Sequence, residues 1–517
     1  MKTLTEVLQD WEAVIGLEIH TELTTLETKM FCDCKLSHSD APNTHVCPVC
    51  LGLPGALPVP NQQAIEAIVM AGLACNCDIQ RRSQFYRKHY FYPDMAKNYQ
   101  ITQGSVAICM HGHLDLEIPT DAAAERSLDA RAYVLPVHIQ RIHMEEDAAK
   151  MIHVGGEEGR ISSASESLID YNRCGTPLIE LVTEPDLRTP AEARLFMEKL
   201  RQIFLTLGIS DCSLESGSMR CDGNVSLRRR GSSELGVKCE MKNLNSFKAL
   251  HDALAYEICR QAEQLEQGLP VVQETRHWEP SQHCTVTMRV KETNDDYCFF
   301  PDPDLAPLDL SDEFIEHCRL RIPELPDTKI ARYCASWGLR HREANMLAAD
   351  PIWTHFFEQA AQGQSPQTVQ QLAKVLLNDV AGWFKATGHS LDDGSLTPEQ
   401  LVELCHLLDS HQLASNHISA LLDLLVQQDG QLEELLDQAG LRQISDTAAL
   451  QKIVAAVLAR SSDQQRQYQM GNTKVLGYLV GQCMKESHGS GNPKLFKDLL
   501  VRALGTFETP VGASSAE

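Results

Sequence analysis

Two hydrophobic periods divide this 517-residue chain. Up to about residue 304, apolar side chains recur at every second position in short runs broken by Gly, Pro and Asn, as in "SVAICMHGHLDLEI", "AYVLPVHIQRIHMEED", "GVKCEMKNL" and "CTVTMRV". A strand sends successive side chains to opposite faces, so each run reads as a β-strand with one oily face. A few helices are interposed, notably "TPAEARLFMEKLRQIFLTLG" at 189–208. It has Thr189 as N-cap, Pro190 in the first position, Glu192 at the capping-box position and Gly208 closing it. After "FFPDPDLAPLDL" (299–310), which reads as a Pro-rich linker, the period lengthens to that of helices. "SPQTVQQLAKVLLNDVAGWFKATG" and "TPEQLVELCHLLDSHQLASNHISALLDLLVQQ" each open on a Ser-Pro or Thr-Pro cap, and a further helical set runs from about 440 to 504. The expected fold is α+β: an N-terminal mixed β-sheet domain over 1–303, then two all-helical domains, 304–439 and 440–517.

The strands carry an unusual polar face. In "VIGLEIHTEL" (14–23), Ile15, Leu17 and Ile19 share one parity, and Gly16, Glu18, His20 and Glu22 the other. "IQRIHMEEDAAKMIH" (139–153) repeats the design, with Ile142 and Met144 on one side and Arg141, His143, Glu145 and Asp147 on the other. A third run, "TPLIELVTEPD" (176–186), sets Glu180 between Leu178 and Val182. One such face is ordinary on a solvated edge strand. A lone acid in a buried strand, however, is costly unless it is paired or metal-bound. Three such strands point to a hard-cation site of carboxylate oxygens and an imidazole, suited to Mg²⁺ or Mn²⁺ and to phosphate oxygens as further ligands. The chain contains no G-x-x-x-x-G-K-[ST] loop.

Eighteen cysteines in a chain without an export signal suggest reduced thiols and a metal site rather than disulfides. "CDC" (32–34) and "CPVC" (47–50) form a C-x-C and a C-x-x-C pair, and Cys32, Cys34, Cys47 and Cys50 read as a structural Zn²⁺ knuckle; the alternative is four free thiols. A net charge of −24 argues against a generic nucleic-acid binder, though a local basic surface remains open. "QFYRKHYFYPDMAKNYQITQ" (84–103) reads either as a nucleotide or RNA surface or as a packed aromatic hairpin. No apolar run reaches the ~20 residues of a membrane span, and the N-terminus is neither signal nor transit peptide, so a cytoplasmic location is expected.

Taken together, "IGLEIHTEL", "CPVCLGLPGALPVPN", "FYRKHYFYPDMAKNYQITQ", "RIHMEEDAAKMIH", "YNRCGTPLIELVTEPD", "SMRCDGNVSLR", "KCEMKNLNSFK" and "FFPDPDLAPL" resemble the B subunit of the glutamyl-tRNA(Gln)/aspartyl-tRNA(Asn) amidotransferases, from about residue 11 to 505. The resemblance implies a cradle-like N-terminal domain with a kinase-like site, a helical domain and a small tRNA-binding helical tail. It implies ATP- and Mg²⁺-dependent phosphorylation of the side-chain carboxylate of Glu mischarged on tRNA(Gln), or Asp on tRNA(Asn). Amidation then follows with ammonia from a partner amidase A subunit, in a heterotrimer completed by a small C subunit. Matched by position, Glu18, His20, Glu145 and Glu180 correspond to the Mg²⁺ ligands, Lys88 and Glu145 to the nucleotide site, and Lys88 and Asp222 to further catalytic residues. The other reading is a zinc-stabilised tRNA-binding scaffold without chemistry of its own.

Departures from the family pattern occur at Thr21, where a small or apolar residue is usual, and at Asn98, where Gly is usual. The segment 119–138 matches loosely and reads as a surface insertion. In the tail, "CMKESHGSGNPK" offers only Lys485 and Lys494 around its Gly-rich turn.

Overall fold

A computed structural model of the chain describes residues 2–37, 39–126, 131–155, 164–290, 298–428, 430–443, 447–487 and 491–505. The chain divides into two compact units, Met1–Pro326 and Asp327–Glu517. The first is built on a nine-stranded sheet. From one edge to the other its strands are Cys284–Val290, Glu274–Glu279, Cys239–Lys242, Met219–Arg229, Trp11–Glu22, Pro177–Thr183, Tyr133–Glu146, Cys109–Ile118 and Asp78–Ile79. Neighbours are antiparallel except Cys239–Lys242 with Glu274–Glu279.

The alternation seen in the sequence is the reason for this layering. Ile15, Leu17 and Ile19 are at most 1% exposed. They share one core with the helices Gln62–Ala74, Pro190–Leu207 and Phe247–Glu266. The intervening polar residues are left on the other face. The helix expected at 189–208 spans Pro190–Leu207, with Thr189 accepting from the Glu192 amide and Gly208 at φ 67°. Glu192 does not close a reciprocal box on Thr189: its carboxylate accepts instead from the Arg188 amide at 2.6 Å.

Two expectations are corrected. The segment expected to be a linker is stitched into the first unit. Phe299–Pro301 pairs with Phe85–His89, which pairs in turn with Tyr99–Gln103, and Leu308–Asp309 pairs with Arg82–Ser83. Prolines are tolerated there because Phe299–Pro301 is an edge strand that need not donate on its outer side. The 119–138 segment is not wholly a surface insertion: Ala122 and Ala123 are buried, and Tyr133 opens a strand of the main sheet. Residues 127–130 lie outside the described residues.

The second unit is helical and contains two separate apolar clusters, one drawn from residues between Ile330 and Leu436, the other between Leu450 and Leu504. The architecture is therefore a mixed-sheet unit followed by a helical one, as the change of period indicated. No helix among the described residues is long and apolar enough to cross a membrane.

Candidate active site

Strand register assembles the polar face. On Trp11–Glu22, alternation puts Glu18, His20 and Glu22 on one side. His20 lies opposite Glu180 on one neighbouring strand and opposite Arg220 on the other, while Glu180 lies opposite His143. Arg220, His20, Glu180 and His143 thus form one row across four strands. In the row on one side Glu18 faces Asp222; in the row on the other side Glu145, two residues beyond His143, lies opposite Leu178.

The side chains converge. His20 Nε2 is 3.1 Å from Glu180 Oε2, 3.9 Å from Glu145 Oε2 and 4.0 Å from Glu18 Oε1. His143 Nε2 is 3.2 Å from Glu145 Oε1 and 3.5 Å from Glu180 Oε2. Glu145 is further fixed by Thr102 Oγ1, which donates at 2.8 Å, and by Gln100 Nε2 at 3.1 Å. Both donors come from the Tyr99–Gln103 strand of the small sheet. Glu18, His20, Glu145 and Glu180 line a cleft of about 620 Å³, together with Lys88, Arg220, Asp222 and Lys242.

Charge explains what holds this cluster together. Two carboxylates ~4 Å apart repel by about 4 kcal/mol at an effective dielectric of ~20, so three of them need compensation. Burial alone would raise the Glu145 carboxyl, but His143 foremost, then His20 and Lys88, hold it well below the usual range. Burial likewise opposes ionisation of Glu180, and His20 and His143 outweigh it. Glu18 is raised, first by burial and then by Glu180. For His20, burial disfavours the imidazolium, yet Glu180, Glu145 and Glu18 together lift its pKa above the ordinary value. The carboxylates thus favour positive charge at their centre.

The four residues expected to gather, Glu18, His20, Glu145 and Glu180, are adjacent in space. The donor sets Glu18–His20–Glu180 and His143–Glu145–Glu180 each lie within 4.8 Å, a spacing compatible with one divalent cation bound by oxygens and imidazole. Lys88 and Asp222 border the same cleft without joining the cluster, and Asp222 is engaged by Lys242 Nζ at 2.5 Å. Several neighbours escaped the sequence reading. His143 shares parity with Glu145, a signal that was visible but carried no assigned role. Lys242, Arg220, Gln100 and Thr102 reach the site only through cross-strand register. Arg220 is held by Asp147 Oδ2 at 2.5 Å, and Asp147 also takes Arg173 Nη2 at 3.1 Å. Burial works against the Asp147 charge, and Arg220 and Arg173 keep its carboxyl low.

The four knuckle cysteines also come together, their sulfurs all within 4.8 Å of one another. A tetrahedral Zn²⁺ with ~2.3 Å bonds would set sulfurs about 3.8 Å apart, so the set fits that ion. Cys50 is pulled down to about 5, first by hydrogen bonding with Cys32, against the cost of burial; Cys34 is pushed up to about 11 by burial and Cys47. Buried Lys29 ties the loop to the sheet domain, donating to the carbonyls of His45 at 2.8 Å and Tyr171 at 3.0 Å.

Comparison with known proteins gives the same outline. Residues 13–316 match the GatB/GatE catalytic domain and residues 355–504 the GatB domain. The chain is 42% identical over 494 residues to the B subunit of the aspartyl/glutamyl-tRNA(Asn/Gln) amidotransferase from Carboxydothermus hydrogenoformans, covering 95% of this chain and 98% of that one. Against the B subunit of the same description from Acaryochloris marina it is 41% identical over 504 residues, 98% of this chain and 100% of the other. For that of Caldanaerobacter subterraneus the identity is 42% over 495 residues, 96% and 99% of the two chains.

Proposed function

The chain belongs to the family of aspartyl/glutamyl-tRNA(Asn/Gln) amidotransferase B subunits, and from that membership we propose that it activates, with ATP, the side-chain carboxylate of a glutamate or aspartate mischarged on tRNA. The activated acyl group is then amidated by ammonia from a partner amidase subunit, a small third subunit completing the assembly. The observation that carries this reading is the single polar sheet face on which Glu18, Glu145, Glu180 and His20 meet at the floor of a cleft, with His143 buried against Glu145 and Glu180.

Glu18, His20, Glu145 and Glu180 would hold a Mg²⁺. When bound, that ion neutralises phosphoryl charge where an anionic acceptor meets an anionic donor. The chain's own residues supply the rest. His143, Thr102 and Gln100 orient Glu145, fixing both of its oxygens so that the carboxylate is ready as a ligand without rearrangement. Lys88 and Lys242 bring ammonium charge to the cleft walls, where substrate carboxylate and phosphate oxygens would otherwise lie among acids. Asp222 keeps Lys242 charged: burial pulls the ammonium down, and Asp222 more than restores it. Arg220, fastened to Asp147, closes one end of the row. The zinc-type knuckle carries no chemistry in this reading, since four sulfurs leave no open position. The helical segment from Asp327, where the second unit begins, to about 439 acts as a helical domain rather than one starting at 304, and the 440–517 tail as an RNA-affinity element.

The test is made on the reconstituted complex. Replacing His20 or Glu145 with Ala should abolish tRNA-dependent ATP cleavage and amide formation, while glutamine hydrolysis by the partner and zinc content persist. Near-normal transamidation by either variant would remove the metal site from the mechanism and favour a scaffold role.

A further inference from the structure

The small three-stranded sheet turns one face towards the carboxylate cluster, and that face has an unassigned outer end. Its register sets Gln100 opposite Lys88 and Lys88 opposite Phe299, so these three side chains form a row across the strands. At the inner end Gln100 donates to Glu145, and Lys88 lines the cleft beside it. At the outer end, on the edge strand, Phe299 lies on Tyr86 with ring centroids 4.9 Å apart and planes only 12° from parallel.

The pair is built rather than incidental. A Cβ at Gly104 would sit 2.5 Å from the Tyr86 ring, so only a glycine lets Tyr86 lie flat there. Tyr86 thus has backbone behind it and Phe299 in front, and Phe299 itself remains 44% exposed. An aromatic ring braced from behind, open in front, and one strand away from an ammonium group in a cleft is a stacking platform. Bases stack on such rings through their π-faces, and the cation accompanies the backbone phosphate.

We infer that the Tyr86–Phe299 pair stacks the unpaired 3′-terminal base of the aminoacylated tRNA. Strands lie ~4.8 Å apart, so the outer ring, Phe299, stands two strands or about 10 Å from the Gln100 strand, with the aminoacyl group free to extend inward past Lys88 to the acids. An open edge strand suits the end of a large RNA approaching from solvent better than a free nucleotide, which the enclosed part of the cleft would grip. The inference rests on the tRNA reading above, and names Phe299 and Tyr86 as positioning residues, not catalytic ones.

The experiment uses the assembled complex and tRNA carrying 2-aminopurine at its 3′-terminal position, titrated against wild type, Phe299→Ala and Phe299→Tyr. Wild type and Phe299→Tyr should quench the fluorescence on binding, and Phe299→Ala should not. The alanine variant should bind tRNA roughly 5- to 150-fold more weakly, the equivalent of ~1–3 kcal/mol of stacking at ~1.4 kcal/mol per tenfold, with ATP affinity unchanged. Quenching retained by Phe299→Ala overturns the inference. So does a loss confined to ATP affinity, which would give the ring to the nucleotide. If wild type itself fails to bind the tRNA, the functional reading falls and this one with it; an unaltered Phe299→Ala beside a binding wild type sinks this one alone.

Discussion

Single residues show how far partners, rather than burial, decide charge in this molecule. His251 on the helix Phe247–Glu266 has a carboxylate at each ring nitrogen, Glu125 at 2.8 Å from Nε2 and Asp252 at 3.0 Å from Nδ1. Only the imidazolium can donate to both. Glu125 foremost, then Asp252, lift the His251 pKa above its usual value against the opposing effect of burial. A raised folded pKa stabilises fully below the unfolded value of ~6.5 and loses that contribution as pH climbs through the folded one. Wild type should therefore exceed His251→Gln in Tm near pH 6, and the gap should shrink as pH rises to about 9. A gap that is constant across this range would show that the imidazolium does not link the two carboxylates. The same logic governs His20, where three acids outweigh burial.

At the scale of elements, helix and sheet meet too closely for sequence propensity to govern. Gly72 lies in the helix Gln62–Ala74, and a Cβ there would come within 2.3 Å of Cys109 Sγ and 2.9 Å of its Cβ. Gly72→Ala would gain up to ~1 kcal/mol of helix propensity. Overpacking a buried contact costs about 1–3 kcal/mol, so packing should win and the variant should be less stable. Chemical denaturation measures the sign, and a stabilised variant would mean the helix shifts freely on the sheet. The strands follow the opposite rule. Each keeps its alternation from the sequence, but which polar side chains it brings together depends on which strand lies beside it.

For the whole molecule, the two compact units and their three apolar clusters bear on how labour is divided. The tail cluster is small, built around Leu479, Phe496 and Leu500. Residues 506–517 lie outside the described residues. We expect deletion of 440–517 to weaken binding of mischarged tRNA while glutamine hydrolysis by the partner subunit is unaffected. Filter binding at several salt concentrations checks this; an unchanged affinity would show that the sheet-bearing unit alone carries the RNA. With Lys485 and Lys494 the only lysines near the tail's Gly-rich turn, the salt dependence lost on deletion should be small.

Much was readable in the chain alone, because it depends on neighbours a few positions apart. Alternation in "VIGLEIHTEL" determined which side of its strand Glu18 and His20 occupy, and the change of period near residue 304 determined the order of sheet and helices. The spacing of "CDC" and "CPVC" was enough to propose one sulfur cluster, and the four sulfurs do gather. What the tertiary structure alone decided is who stands across from whom. His20 meets Glu180 and Arg220, Asp222 meets Lys242, and Phe299 stacks on Tyr86, although these partners are 20 to 213 residues apart in the chain. Such pairings follow from hydrogen-bond register between strands, which is set by how the whole sheet buries its apolar face.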